Sequence, residues 1–281
     1  MKLVRFGARG EERPGLLDGE GRVRDLSGHV DDIGGAMLSP EGLARLRGID
    51  PEKLPLAPEG ARLGAPVAGT GKILCIGLNY KMHAAETGAD VPTEPLLFQK
   101  AVSAINGPYD DIVVPRTSTK TDWEVELGVV IGSHAKYVSE EDALSYVAGF
   151  CILNDVSERD FQKNRAGQFT KGKSCDTFCP LGPWLVTRDE VADPQDLQLQ
   201  TLVNGETRQD GSSKDMIHSV AHLVSYLSQF MSLHPGDIIA SGTPDGVGAG
   251  MKPPLFLKAG DEIVMRVSGL GEQRAKLVAD V

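Results

Sequence analysis

The residues best suited to chemistry begin with Asp122-Trp123-Glu124-Val125-Glu126-Leu127-Gly128-Val129-Val130-Ile131. Trp123, Val125, Leu127, Val129 and Ile131 alternate, which predicts one apolar face of a strand. Glu124 and Glu126, two residues apart, then project together from the other face. Two carboxylates whose Cα atoms lie roughly 6–7 Å apart repel each other unless water or a cation lies between them. Taken alone, the pair reads more simply as the solvated face of an edge strand. Asp155 shifts that balance, because it ends the apolar run Val-Ala-Gly-Phe-Cys-Ile-Leu-Asn-Asp, where an unpartnered acid is costly. Three carboxylates without a nearby Cys/His cluster form an oxygen-only set, suited to Mg²⁺, Mn²⁺ or Ca²⁺ rather than zinc. Three protein oxygens would leave roughly three positions of an octahedral Mg²⁺ for water and a chelating substrate, as a catalytic site requires.

A second constellation is Asn79-Tyr80-Lys81-Met82-His83-Ala84-Ala85-Glu86. In a helical turn His83 and Glu86, at i and i+3, meet on one face. A carboxylate beside an imidazole sets its tautomer and raises its basicity, giving a general base for water; a surface His–Glu pair has the same spacing. The third group is basic or polar: Lys100 closing Pro95–Lys100, Arg159 and Gln162 one or two turns beyond Asp155, and Lys173. Near a metal–carboxylate cluster such side chains would hold an anionic substrate and stabilise an enolate; elsewhere each is a surface charge. His218 and His222 lack a third ligand and read as a helix face, and Cys175 and Cys179 read as small buried apolar residues. Gly246-Val247-Gly248-Ala249-Gly250 is no dinucleotide fingerprint, because Met251-Lys252-Pro253-Pro254 cannot open the helix that such a motif needs.

The elements that must position these residues are mostly short strands. Lys72–Gly77, Pro95–Lys100, Trp123–Ile131, Val147–Asn154, Trp184–Thr187, Leu197–Val203, Asp237–Ala240, Glu262–Val267 and Arg274–Val278 have strand character, with Asn204-Gly205 as a hairpin turn. Ser219–Met231 carries helical apolar spacing, and a helix is also expected from Ser139. Before them, Asp18–Gly21 reads as a hairpin turn, and Ser39-Pro40-Glu41 opens a short helix that Gly48 closes. The stretch LPLAPEGARLGAPVAGTG has neither period and reads as a linker. The expectation is a mixed, β-rich α+β fold with a small N-terminal α/β domain and linker over 1–70 and a catalytic domain over 71–281.

The chain has 281 residues, 29 basic and 39 acidic side chains, and a formal net charge of −10. That excess argues against nucleic acid and against an anionic membrane surface. No apolar run reaches about 18 residues, and the first residues lack a signal-peptide stretch, so a cytoplasmic location with reduced cysteines is expected.

Taken in order, the segments resemble the fumarylacetoacetate hydrolase family. The matching pieces are Gly77-Leu78-Asn79-Tyr80 with His83 and Glu86, Phe98-Gln99-Lys100, Glu124-Val125-Glu126-Leu127 and Asn154 through Asp160. Lys173 with Asp176-Thr177-Phe178, Gly182-Pro183, Asn204-Gly205-Glu206, Pro235 through Ile239 and Gly242 through Gly248 complete the series, over about residues 72–280. The resemblance implies the family's mixed β fold, with Glu124, Glu126 and Asp155 holding Mg²⁺ or Mn²⁺. It implies a water-activating dyad of His83 and Glu86 on a short lid helix, with Lys173 stabilising developing negative charge. Lys100, Arg159, Gln162, Gly242 and Thr243 would contact a small anionic 2-oxo acid, in a homodimer or homotetramer. The implied reaction is hydrolysis of the C3–C4 bond of a 2,4-dioxo acid to pyruvate and a second acid, the substrate being a sugar-acid intermediate such as 2,4-diketo-3-deoxy-L-rhamnonate. The same scaffold hosts oxaloacetate decarboxylases, isomerase-decarboxylases and ureidoglycolate lyases. A non-catalytic metabolite-binding protein is the reading from another class.

Overall fold

The Val125–Ile131 strand is buried along its whole length, because it pairs on one side with Val147–Asn154 and on the other with Ile238–Ala240. It is therefore a central strand, and the solvated-edge reading of Glu124 and Glu126 is overturned. In the computed structural model, which describes residues 1–280, these strands lie in an eleven-stranded sheet. Nine of them run in the order Val23–Asp25, Arg13–Leu17, Lys2–Phe6, Cys179–Thr187, Val147–Asn154, Val125–Ile131, Ile238–Ala240, Ile73–Gly77, Leu96–Lys100, while Leu63–Gly64 pairs with Lys2–Phe6 and Ile105–Asn106 with Cys179–Thr187 off this path. Most pairs are antiparallel; Ile238–Ala240 runs parallel to Ile73–Gly77. Runs of Val, Ile and Leu suit these strands because branched side chains pack well on a pleated surface covered on both faces.

A second sheet of five strands has the order Glu206–Ser212, Gln198–Val203, Glu262–Val267, Gly271–Ala279, Ile112–Val114. Two fully or nearly buried glutamines tie it to the large sheet. Gln273 Nε2 donates to the carbonyls of Ile152, Pro180 and Gly182. Gln209 Oε1 accepts from Val125 N–H and Thr201 Oγ1, while its Nε2 donates to Thr243 Oγ1 and the Pro244 carbonyl. Each amide meets backbone groups that would otherwise be orphaned between the sheets.

The local expectations hold where the signal is local. The helix Pro40–Arg47 has Ser39 as its N-cap, accepting from Gly42 N–H at 3.1 Å. The helix Val220–Phe230 is capped by Ser219. Two expectations are corrected. The helix from Ser139 is only a single 3₁₀ turn, Ala143–Tyr146. Ser139 bonds Asp142 instead, and the Tyr146 carbonyl accepts from Gly132 N–H, which draws the chain into the sheet. The stretch read as a linker is built into the fold: Leu63–Gly64 pairs with Lys2–Phe6, and Arg62 binds both Asp110 and Glu12. Lys2–Phe6 also pairs with Cys179–Thr187, so hydrogen bonding crosses the change in sequence texture near residue 70. Among the described residues no helix is long and apolar enough to cross a membrane.

Candidate active site

Glu124 and Glu126 flank the start of the central strand, and Asp155 follows the end of its antiparallel neighbour, where Asp155 N–H donates to the Glu124 carbonyl. The pairing of two strand ends thus brings together three acids that are far apart in sequence. One oxygen from each carboxylate lies within 4.8 Å of the others, and all three residues are buried. Glu126 accepts from Gly242 N–H at 2.8 Å. That turn requires glycine: φ is +96°, and a Cβ there would sit 2.7 Å from Asn79 Cβ.

Cations surround the acids. Lys173 Nζ bridges Glu124 Oε2 and Asp155 Oδ2, both at 2.7 Å. Lys100 Nζ donates to Asp155 Oδ1 at 2.6 Å and to the Val156 carbonyl. Arg159 Nη1 reaches Glu124 Oε1 at 2.8 Å, and its Nε reaches Asp122 Oδ2 at 2.8 Å. Burial opposes ionisation of Glu124, but Lys173 and Arg159 outweigh it and hold this carboxyl below the usual range. Glu126 goes the other way: burial, then the charges of Asp155 and Glu124, push it well above the usual range. Burial disfavours the Lys173 ammonium, yet Asp155 and Glu124 raise its pKa overall.

The donor set fits a hard divalent cation. It is all oxygen, closely spaced and buried, and Glu126 is crowded by two like charges with too little positive charge beside it. Glu124, Glu126 and Asp155 would hold such an ion, and the ammonium of Lys173 lies against two of them, Glu124 and Asp155.

Across the cavity, the helix Lys81–Thr87 carries the second constellation. Gly88, with φ +69°, closes it. His83 Nδ1 lies 2.8 Å from Glu86 Oε1, and Glu86 Oε2 accepts from Gly246 N–H at 2.9 Å. An ionised carboxylate can only accept, so this contact favours the proton on His83 Nδ1, the tautomer in which a neutral imidazole has its lone pair on Nε2. A cavity of about 200 Å³ is lined by His83, Glu124, Glu126, Arg159, Gln162, Lys173 and Thr243 among others.

Most of the site residues expected from the sequence thus meet around one space. Glu86, Lys100, Asp155 and Gly242 do not line it; Glu86 meets it through His83 and Asp155 through Lys173. Lys100 holds Asp155 from outside the cavity, and Gly242 offers its N–H to Glu126. Thr243 lines it while donating to the Val125 carbonyl. Cys179 is buried as expected, whereas Cys175 is partly exposed. Asp122 is a residue that sequence reasoning missed. Fully buried, it accepts from Arg159 Nε and from the N–H groups of Gly248 and Ala249, joining the arginine to the loop against which Glu86 docks. Its one signal is an acid placed immediately before the apolar strand. Phe98 and Phe169, edge to face at 5.5 Å, form an apolar wall, with Lys173 Nζ 5.0 Å from the Phe98 ring.

A family model described as fumarylacetoacetate (FAA) hydrolase C-terminal matches residues 72–278. A Burkholderia lata protein that carries only the provisional name of a hydrolase is 57% identical over 274 residues, 97% of each chain. Among solved structures, a fumarylacetoacetate hydrolase from Exiguobacterium antarcticum is 37% identical with a TM-score of 0.85, covering 100% of both chains. A maleylpyruvate hydrolase from Sphingobium sp. SYK-6, in complex with manganese(II) and pyruvate, is 30% identical with a TM-score of 0.83, again over 100% of both. A 2-hydroxyhepta-2,4-diene-1,7-dioate isomerase from Mycobacterium marinum is 32% identical with a TM-score of 0.76, over 100% of this chain and 99% of that one.

Proposed function

The chain belongs to the fumarylacetoacetate hydrolase family, and from that premise we propose that it is a hydrolase, dependent on Mg²⁺ or Mn²⁺, that cleaves the C3–C4 bond of a 2,4-dioxo acid. The observation that carries this reading is one cavity lined both by His83, which Glu86 holds, and by Glu124 and Glu126 of the buried Glu124–Glu126–Asp155 set. When bound, the divalent ion supplies Lewis acidity to the 2-oxo acid end of the substrate.

His83 Nε2 takes a proton from water, with Glu86 holding the imidazole in the tautomer that can accept it. The hydroxide adds to the C4 carbonyl carbon, the C3–C4 bond breaks, and its electron pair goes to the enolate of pyruvate. C3 then takes a proton, and C4 leaves as the second carboxylic acid. The Lys173 ammonium, held beside Glu124 and Asp155, faces the charge that develops on the enolate. Arg159 and Gln162, joined by a 3.1 Å hydrogen bond, and Thr243 orient the substrate. Lys100 acts through Asp155, which it holds in place.

The similarity to the dienedioate isomerase favours a second reading, in which the same base moves a proton along a conjugated acid and adds no water. A sugar-acid intermediate such as 2,4-diketo-3-deoxy-L-rhamnonate, other acylpyruvates, a hydroxydienedioate and oxaloacetate form the panel that separates these readings. We expect pyruvate and one carboxylic co-product from a 2,4-dioxo acid, lost with chelator and restored by Mg²⁺ or Mn²⁺. Full turnover in chelator removes the metal from the proposal. Carbon dioxide as co-product, or isomerisation without pyruvate, replaces hydrolysis with the other chemistry. We further propose that the protein works as a homodimer or homotetramer on a small anionic substrate in the cytoplasm, with sedimentation as the check on assembly.

A further inference from the structure

The helix Arg159–Lys163 faces the cavity with donors that nothing in the protein uses. Arg159 Nη2 is buried and has no hydrogen-bond partner. Gln162, which also lines the cavity, accepts from Arg159 through Oε1. Lys163, four residues beyond Arg159, lines the same cavity and has no carboxylate partner among the described residues. The other two cations of the lining, Arg159 and Lys173, are each bound to two carboxylates.

The backbone that presents Lys163 is held in place. Glu158 caps the helix by accepting from Asp160 N–H at 3.0 Å, and it also accepts from Lys120 N–H. Gly172 packs so closely that a Cβ there would lie 2.5 Å from both Gln162 N and the Glu158 carbonyl. Position matters as much as charge. Four residues of helix rise about 6 Å along the axis, which places the Lys163 backbone one turn beyond that of the buried Arg159, and the Lys163 side chain is exposed. The same cavity has apolar lining as well, including Leu78, Leu96, Phe98 and Phe169. Burial, and then the neighbouring Arg159 charge, lower the Lys163 pKa, with the charges of Glu124 and Asp122 only partly offsetting them.

We propose that the end of the substrate remote from the reacting centre carries a second carboxylate, received by Lys163, across an apolar middle segment that lies on the Phe98–Phe169 wall. Lys163 is thereby a specificity residue, and the substrate class is a dicarboxylic oxo acid rather than a polyhydroxylated chain. Hydroxyls against that wall would be buried without partners, a cost that an apolar segment avoids. This rests on the reading that a 2-oxo acid binds at the carboxylate cluster, and it deepens that reading by naming the far half of the ligand.

The test is binding, kept separate from turnover. Calorimetry on the Mn²⁺-loaded protein compares 2-oxoheptanedioate with 2-oxoheptanoate, which differ in the terminal carboxylate and lack the 4-oxo group needed for cleavage. The dioate is expected to bind about fivefold more tightly, the size of a partly exposed ion pair. Lys163→Met should bring the two to parity by weakening only the dioate, and Lys163→Arg should keep the preference. Equal affinities in the unmodified protein, a preference that persists in Lys163→Met, or no binding of either acid overturns the proposal. Failure of the hydrolase reading shows elsewhere, as absence of pyruvate release from every 2,4-dioxo acid.

Discussion

In the first strands of the chain, Asp18 accepts from Arg22 Nε and Arg24 Nε through one oxygen, and from the backbone N–H groups of Glu20 and Arg22 through the other. Arg24 in turn gives Nη1 to the Leu54 carbonyl and Nη2 to Glu52. Every charged atom of that pair has a partner inside the protein. In the cavity the same kinds of side chain are left incomplete: Arg159 Nη2 is orphaned, Lys163 is unpaired and Glu126 is crowded by two other acids. The first network closes on itself and holds strands together. The second leaves charge and donors for something that is not protein, and buried groups in that condition cost stability unless a ligand meets them.

The largest expected effect comes from breaking the open network. Asp155→Asn removes one of three charges from the proposed ion site and the partner of two lysines. Turnover of whichever 2,4-dioxo acid the protein cleaves should fall about a thousandfold, since cation charge stabilisation is worth several kcal/mol and each decade is about 1.4. A variant that keeps full metal-dependent activity would end the case for Asp155 as a ligand. His83→Ala should lower kcat about 10²-fold while leaving metal affinity, read by calorimetry, unchanged. An unaltered rate takes His83 out of the base role.

The closed network should respond in stability alone. Burial works against ionisation of Asp18, but the hydrogen bonds from Arg24 and Arg22 outweigh it and hold the carboxyl well below the ordinary range. A depressed value means that the stabilisation is present above the unfolded value, near about pH 4, and is lost as pH falls through the lower folded value. Asp18→Asn should therefore melt a few degrees lower at pH 7 with unchanged turnover, and its deficit against the unmodified protein should shrink below pH 4. A deficit that stays constant into acid, or a loss of activity at pH 7, would erase the distinction between the two networks.

How much was legible depended on the range of the signal. The Pro40–Arg47 helix, its Ser39 cap and the His83–Glu86 contact follow from neighbours three or four residues apart, and the structure has them where the spacing puts them. The helix expected from Ser139 failed because Tyr146 is drawn to Gly132 by sheet pairing, an influence from outside the window. Glu124 and Glu126 looked like an exposed face because alternation alone does not tell an edge strand from a central one. Lys100 was read as a substrate contact, yet Asp155 takes its ammonium outside the cavity. Asp122 carried almost no signal, since its partners Arg159, Gly248 and Ala249 are remote in the chain.

By itself the sequence determined the kinds of atom available: three acids without thiol or imidazole among them, one imidazole paired with a carboxylate, and a few isolated cations. Those properties belong to side-chain chemistry and short spacing, which persist whatever the chain does elsewhere. Only the tertiary structure decided which acids share one buried space, which cations are already engaged and which donors remain open. That outcome depends on which remote strands flank Val125–Ile131 and where the helix Arg159–Lys163 is pinned. Burial then removes the water that would otherwise make every charge alike.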